Sequence, residues 1–132
     1  MTLPSSLANR LPPVRVSPLF DETAYRELFA PGDPAGRVWL EDFLGAADGL
    51  LTELQMQYAT NQREALARTA RHLAVTAHAA GAVRFGTTCH ALGLAASRGS
   101  RAAVSVLTAA ACAEFRDTLE AVTRFLTAPP AA

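Results

Sequence analysis

Residues 65–96 read ALARTARHLAVTAHAAGAVRFGTTCHALGLAA, and this stretch decides the fold. Leu66, Ala70, Leu73 and Ala77 recur at spacings of four and three, which places them on one side of an α-helix. Asn61 followed three residues later by Glu64 resembles a capping box and sets the expected start of that helix. Gly81 marks a bend or a tight packing point, and a second helix follows over 83–97, burying Phe85, Cys89, Leu92 and Ala96. Two amphipathic helices joined by so short a connection are expected to pack as antiparallel neighbours.

The same punctuation repeats outward. A short helix is expected over 18–30, with Ser17 as N-cap, Pro18 at the first helical position and Pro31-Gly32 as its stop. Asp33 caps a long helix that has Pro34 at its first position and runs to 59. Its apolar stripe is Leu40, Phe43, Ala47, Leu50 and Leu54, weakened but not broken by Gly45 and Gly49. Arg98-Gly99 stops the helix after Gly81. Ser100 then caps a last helix running to 127, with Val104, Leu107, Ala111, Phe115, Leu119, Val122 and Leu126 facing inward. No alternating β-branched run competes. The expected fold is all-α, an antiparallel up-and-down four-helix bundle with a short additional N-terminal helix. It occupies residues 18–127, between an extended proline-containing arm (1–17) and a tail (128–132).

Composition narrows the function classes. The 132 residues suit one domain, half of them are hydrophobic, and formal net charge is zero. A neutral chain without a basic face argues against nucleic acid as partner. No apolar run approaches the ~18 residues of a membrane span, and residues 1–13 have no apolar signal-peptide core. A cytoplasmic protein with two reduced core thiols, Cys89 and Cys112, is therefore expected. Neither metal nor cofactor is expected. Cys89 and His90 are adjacent, so they point about 100° apart on a helix, and zinc ligands do not cluster.

The quoted stretch resembles the signature region of histidine phosphotransfer (HPt) domains, whose helix carries Ala-His-x-Leu-Lys-Gly-Ser-Ala, then Gly-Ala, then a helix with Cys-x-x-Leu-Glu. Ala70, Leu73, Ala77, Gly81 and Ala82 fall in register with that pattern, Thr76 replaces the serine, and Cys89 and Leu92 fit the following helix. A short helix and Gly-Asp-Pro before a long helix containing Phe43 extend the likeness over residues 18–127. The departures fall on the chemistry. Arg71 stands at the phosphoaccepting histidine, Ala74 at the lysine, Val75 at the glycine and Gly93 at the glutamate. In the family a neutral imidazole attacks the phosphoryl group of a receiver aspartate, the lysine holds phosphate charge, and the glycine admits the receiver's rim. Arginine stays protonated and cannot be that nucleophile. It can still pair bidentately with a carboxylate or phosphate.

The resemblance therefore implies a non-catalytic HPt-like protein that binds a response-regulator receiver or a histidine kinase and modulates bacterial two-component signalling as competitor or adaptor. Its docking face would hold Glu64, Arg68, Arg71, Ala74, Val75 and His78. Trp39 is read either as core or as part of a docking patch with the N-terminal helix. Arg71 itself is read either as a solvated surface arginine or as the docking residue. An alternative is an active phosphotransfer protein using His78 or His72. His78 is seven residues beyond Arg71, within about 20° of it and about 10 Å along the axis, but Gly81 stands where a lysine is wanted. His72 lies on the opposite flank, and His90 is expected at the surface of the next helix. A third reading is a self-associating helical scaffold, such as a homodimer, without signalling role. No Gly-rich phosphate loop or nucleophile–base set supports an independent enzyme.

Overall fold

The computed structural model describes residues 18–128, and the proposed arm 1–17, with Ser17, and residues 129–132 lie outside them. Five helices follow one another: α1 (Glu22–Leu28), α2 (Pro34–Ala59), α3 (Arg63–Ala79), α4 (Val83–Arg98) and α5 (Arg101–Thr127). The described residues contain no strand. Each of the four long helices packs on two others, in the cyclic order α2, α3, α4, α5 and back to α2.

The expected cap residues at two helix starts act as caps. Asp33 accepts the Ala35 amide at 2.9 Å ahead of Pro34, and Ser100 accepts the Ala103 amide at 3.1 Å. Two expected boundaries are corrected. The first helix begins at Glu22 rather than at 18, because Asp21 takes the cap and accepts the Ala24 amide at 3.1 Å. Residues 18–20 are instead non-helical and stitched to the α3–α4 turn. The Asp21 amide donates to the Gly81 carbonyl at 2.8 Å, and the Arg84 amide donates to the Pro18 carbonyl at 3.2 Å.

The second correction is Asn61, expected to open α3. It closes α2 instead. Its φ is +57°, its amide donates to the Tyr58 carbonyl, and the Gln62 amide reaches back to the Gln57 carbonyl at 2.8 Å. That is a Schellman ending with asparagine in the left-handed position. α3 ends identically: Gly81, at φ +84°, donates to the His78 carbonyl, and Ala82 donates to that of Ala77.

The core stripes of α3 and α4 are buried as the periodicity predicts. The longer helices drift. In α2 Leu51 is buried while Phe43 and Leu50 are half-buried, and in α5 Leu119 is 41 % exposed while Thr108 and Thr118 are buried. A helix turning every 3.6 residues rotates away from a strict seven-residue repeat over 27 residues. The buried threonines are satisfied by donating to the Val104 and Glu114 carbonyls, each at 2.7 Å.

The buried residues form two clusters. The larger joins the four long helices around Leu54, Leu66, Leu73, Phe85, Leu92 and Phe115. The smaller is aromatic and lies between the N-terminal segment, α2 and α5, with Phe20 and Tyr25 against Phe125 at 5.1 Å each. No described helix is long and apolar enough to cross a membrane.

Candidate functional site

The outward face of α3 carries Glu64, Arg68, Arg71, Val75 and His78, all exposed. One expected member is absent. Ala74 is only 5 % exposed and belongs to the main core, so it is removed from the docking face. The reason is angular: Ala74 stands about 100° from Val75, and that rotation turns it into the core. Trp39, read as core or as part of a patch with the N-terminal helix, lies at the end of that helix. It is half-buried against Phe29, with ring centroids 5.4 Å apart, in the aromatic cluster to which α3 contributes nothing. His72 is exposed on the other flank, where Thr76 donates to its carbonyl at 3.0 Å, and His90 is exposed on α4.

Glycines of α4 set the geometry of the face. A Cβ on Gly93 would stand 3.1 Å from Cγ of Arg71, and one on Gly86 would stand 2.9 Å from the His78 ring. The two long side chains therefore lie against bare backbone of the neighbouring helix. Arg71 Nε donates to the Ala67 carbonyl at 3.2 Å, which fixes the stem of the guanidinium and leaves its outer nitrogens to solvent. The pairing of Arg71 with Gly93 and His78 with Gly86 also establishes that α3 and α4 run antiparallel. Residue spacing could have indicated this contact: Gly86 and Gly93 are seven apart, as are Arg71 and His78.

Charge is segregated onto this hairpin. α3 and α4 hold five arginines (Arg63, Arg68, Arg71, Arg84, Arg98) and a single acid, Glu64. Arg63 is committed to structure, since it donates to the carbonyls of Ala96, at 2.8 Å, and Gly99 and so caps the end of α4. Arg68, Arg71 and Arg98 border one shallow polar groove of about 650 Å³. The ion pairs among the described residues join Arg26 to Glu22, Arg37 to Glu41 and Arg124 to Glu120, all on other helices. Glu64 lines the same groove, but among the described residues no carboxylate forms an ion pair with Arg68, Arg71 or Arg98. Sequence reasoning named Arg98 only as part of a helix stop and Gly93 only as the replacement of a family glutamate, and it did not name Gly86.

Cys89 supplies no activated nucleophile. Burial pushes Cys89 up to about 12, with the charges of Glu114 and then Cys112 adding to the effect, so the thiol is protonated. Cys112 is half-buried, and Gln55 Nε2 donates to its sulfur at 3.0 Å. No group of three or more potential metal-ligating side chains occurs among the described residues.

Comparison with protein-family models, with curated proteins and with solved structures finds no match for the chain.

Proposed function

We infer that the chain is a degenerate HPt-like domain, an antiparallel up-and-down four-helix bundle that docks a response-regulator receiver or a histidine kinase and modulates bacterial two-component signalling in the cytoplasm without transferring phosphate. The observation that carries the reading is Arg71. It stands where the resemblance puts the phosphoacceptor, is exposed, is laid over Gly93, and has no carboxylate partner among the described residues. A guanidinium so held suits the acidic pocket of a receiver, because bidentate pairing with carboxylates needs a pre-oriented planar fork. Val75, 71 % exposed beside it, offers the apolar contact that a docking surface uses around its charged anchor. The cyclic packing order of the four long helices supports the bundle.

The test is calorimetric titration of the purified chain against receiver and kinase domains of its own genome. Arg71→Glu is expected to weaken a selective complex at least about tenfold, roughly 1.4 kcal/mol. A complex indifferent to both Arg71→Glu and Val75→Arg would show that docking does not use this face.

His78 motivates a second reading, a working phosphotransfer protein. Its ring is exposed on the same face, with Cε1, Nδ1 and Cγ nearest Gly86. An acid-labile phosphoryl group acquired from a phosphorylated receiver and lost in His78→Gln would establish it. A dimer closed through α3 would instead favour self-association, because it would cover Arg71.

A further inference from the structure

The groove between α3 and the end of α4 holds more positive charge than the fold needs. Residues 18–62 carry eight of the chain's twelve carboxylates, whereas α3 and α4 together carry one. Arg68, Arg71 and Arg98 border the groove, all three exposed, and none forms an ion pair among the described residues. Like charges gathered around one concave surface repel one another and raise its potential for anions. A helix C-terminus attracts cations, which could account for Arg98, but that end of α4 is already taken. Arg63 donates to the Ala96 and Gly99 carbonyls there.

Helix register fixes how the three arginines are spaced. Arg63 bonds to Gly99 and Arg71 lies over Gly93, so residue 71 of α3 is level with residue 93 of α4. Arg68 stands about 4.5 Å along the axis from Arg71, and Arg98 about 7.5 Å from the level of Gly93 in the same direction. The three stems are strung along the groove rather than gathered at one point. Arg71 Nε is engaged by the Ala67 carbonyl at 3.2 Å, which leaves the two terminal nitrogens for an outside acceptor. Ser97 adds an exposed hydroxyl to the same lining, and Glu64 is its single carboxylate.

We propose that this groove binds an oligophosphate, a chain of two or three phosphoryl groups, either free or as the tail of a nucleotide. Guanidinium forks pair bidentately with phosphate oxygens. A chain of phosphates answers a string of arginines, whereas a single phosphate meets only part of it. The groove lining contains no aromatic ring on which a base would stack, so recognition rests with the phosphates. Arg71 also belongs to the proposed docking face, so a bound oligophosphate would compete with a receiver; this competition alone rests on the docking reading.

The experiment titrates the full chain calorimetrically with orthophosphate, pyrophosphate, tripolyphosphate and ATP at about 0.15 M salt. Affinity is expected to rise along the three inorganic anions, with tripolyphosphate at least about tenfold tighter than orthophosphate. Arg68→Gln and Arg98→Gln should each weaken tripolyphosphate at least about fivefold, and Glu64→Gln should tighten it. Arg116→Gln removes the same charge from an exposed position of α5 outside the groove, and should change affinity by less than about twofold. Arg98 lies off the proposed docking face, so Arg98→Gln separates loss of the anion from loss of a receiver. ATP tighter than tripolyphosphate would name a nucleotide as the source, and equal or weaker ATP would name free polyphosphate. No saturable heat up to about 5 mM tripolyphosphate would overturn the proposal. Equal losses in Arg116→Gln and Arg98→Gln would overturn it too, since the anion would then be answering net charge rather than the groove.

Discussion

The two buried clusters are built by opposite means. The main cluster draws many small buried residues from α3 and α4, with Ala70, Ala74 and Ala77 on one helix and Gly86, Cys89 and Gly93 on the other, beside Leu66, Leu73, Phe85 and Leu92. The N-terminal cluster is made of rings, with Phe20, Tyr25, Phe29, Trp39 and Phe125 stacked at tilted and edge-on angles. Small residues let two backbones approach, so the long side chains at the edge of the seam have nowhere to go but along the partner helix. This is how Arg71 and His78 acquire fixed positions while exposed. Rings fill space at a distance and fix a short segment, α1, that is too brief to be stable alone. The first device shapes a surface, and the second anchors a chain.

Five substitutions and one titration can break or sharpen this contrast. Phe85→Ala should cost most, about 3–5 kcal/mol in urea unfolding, because Phe85 is fully buried where the seam meets Phe115, 5.4 Å away between centroids. The next effect is read in pH. Cys89 has its proton affinity raised in the folded state, so its contribution is fully present below the unfolded thiol value of about 9 and is lost between there and about 12. Over that window stability should fall with a slope of about 1.4 kcal/mol per pH unit that Cys89→Ala removes. Gly36→Ala probes the ring cluster. Its Cβ would stand 2.1 Å from the Tyr25 hydroxyl oxygen and 2.9 Å from Phe29 Cγ, and the crowding should cost about 1–3 kcal/mol. Gly45→Ala is the matched control on the same helix. It meets nothing within 4 Å, so helix propensity alone acts, and melting should show a gain of about 0.5–1 kcal/mol. Gly49→Ala should match it, since its surroundings are equally open. Equal effects at Gly36 and Gly45 would mean that the rings yield freely and do not anchor α1.

What the sequence made legible follows from how local each cause is. Asp33-Pro34 and Ser100 could be read as helix starts because capping involves residues two or three apart. The stripes of α3 and α4 were legible because over 16 or 17 residues the helical period barely drifts. Asn61 was misread because Asn serves both as an N-cap and as a left-handed helix ending, and only the Gln62-to-Gln57 bond decides between them. The start of α1 was misplaced because residues 18–20 bond to Gly81 and Arg84, partners far along the chain. At the candidate site, the spacing of Arg68, Arg71, Val75 and His78 puts them on one side of α3, and all four are exposed there. Ala74 belongs to the core instead, because the position it fills in the family pattern lies about 100° round the helix from Val75. The groove arginine Arg98 came into view only through the pairing of α3 with α4.

The bonds from Asp21 and Pro18 to the α3–α4 turn carry a consequence for the order of folding. The α3–α4 hairpin spans a short loop, so its contacts form at small entropic cost and suit an early nucleus. The N-terminal strap crosses that hairpin only after it exists, linking positions far apart in the chain. A weakened strap is therefore expected to show as faster unfolding at an almost unchanged folding rate.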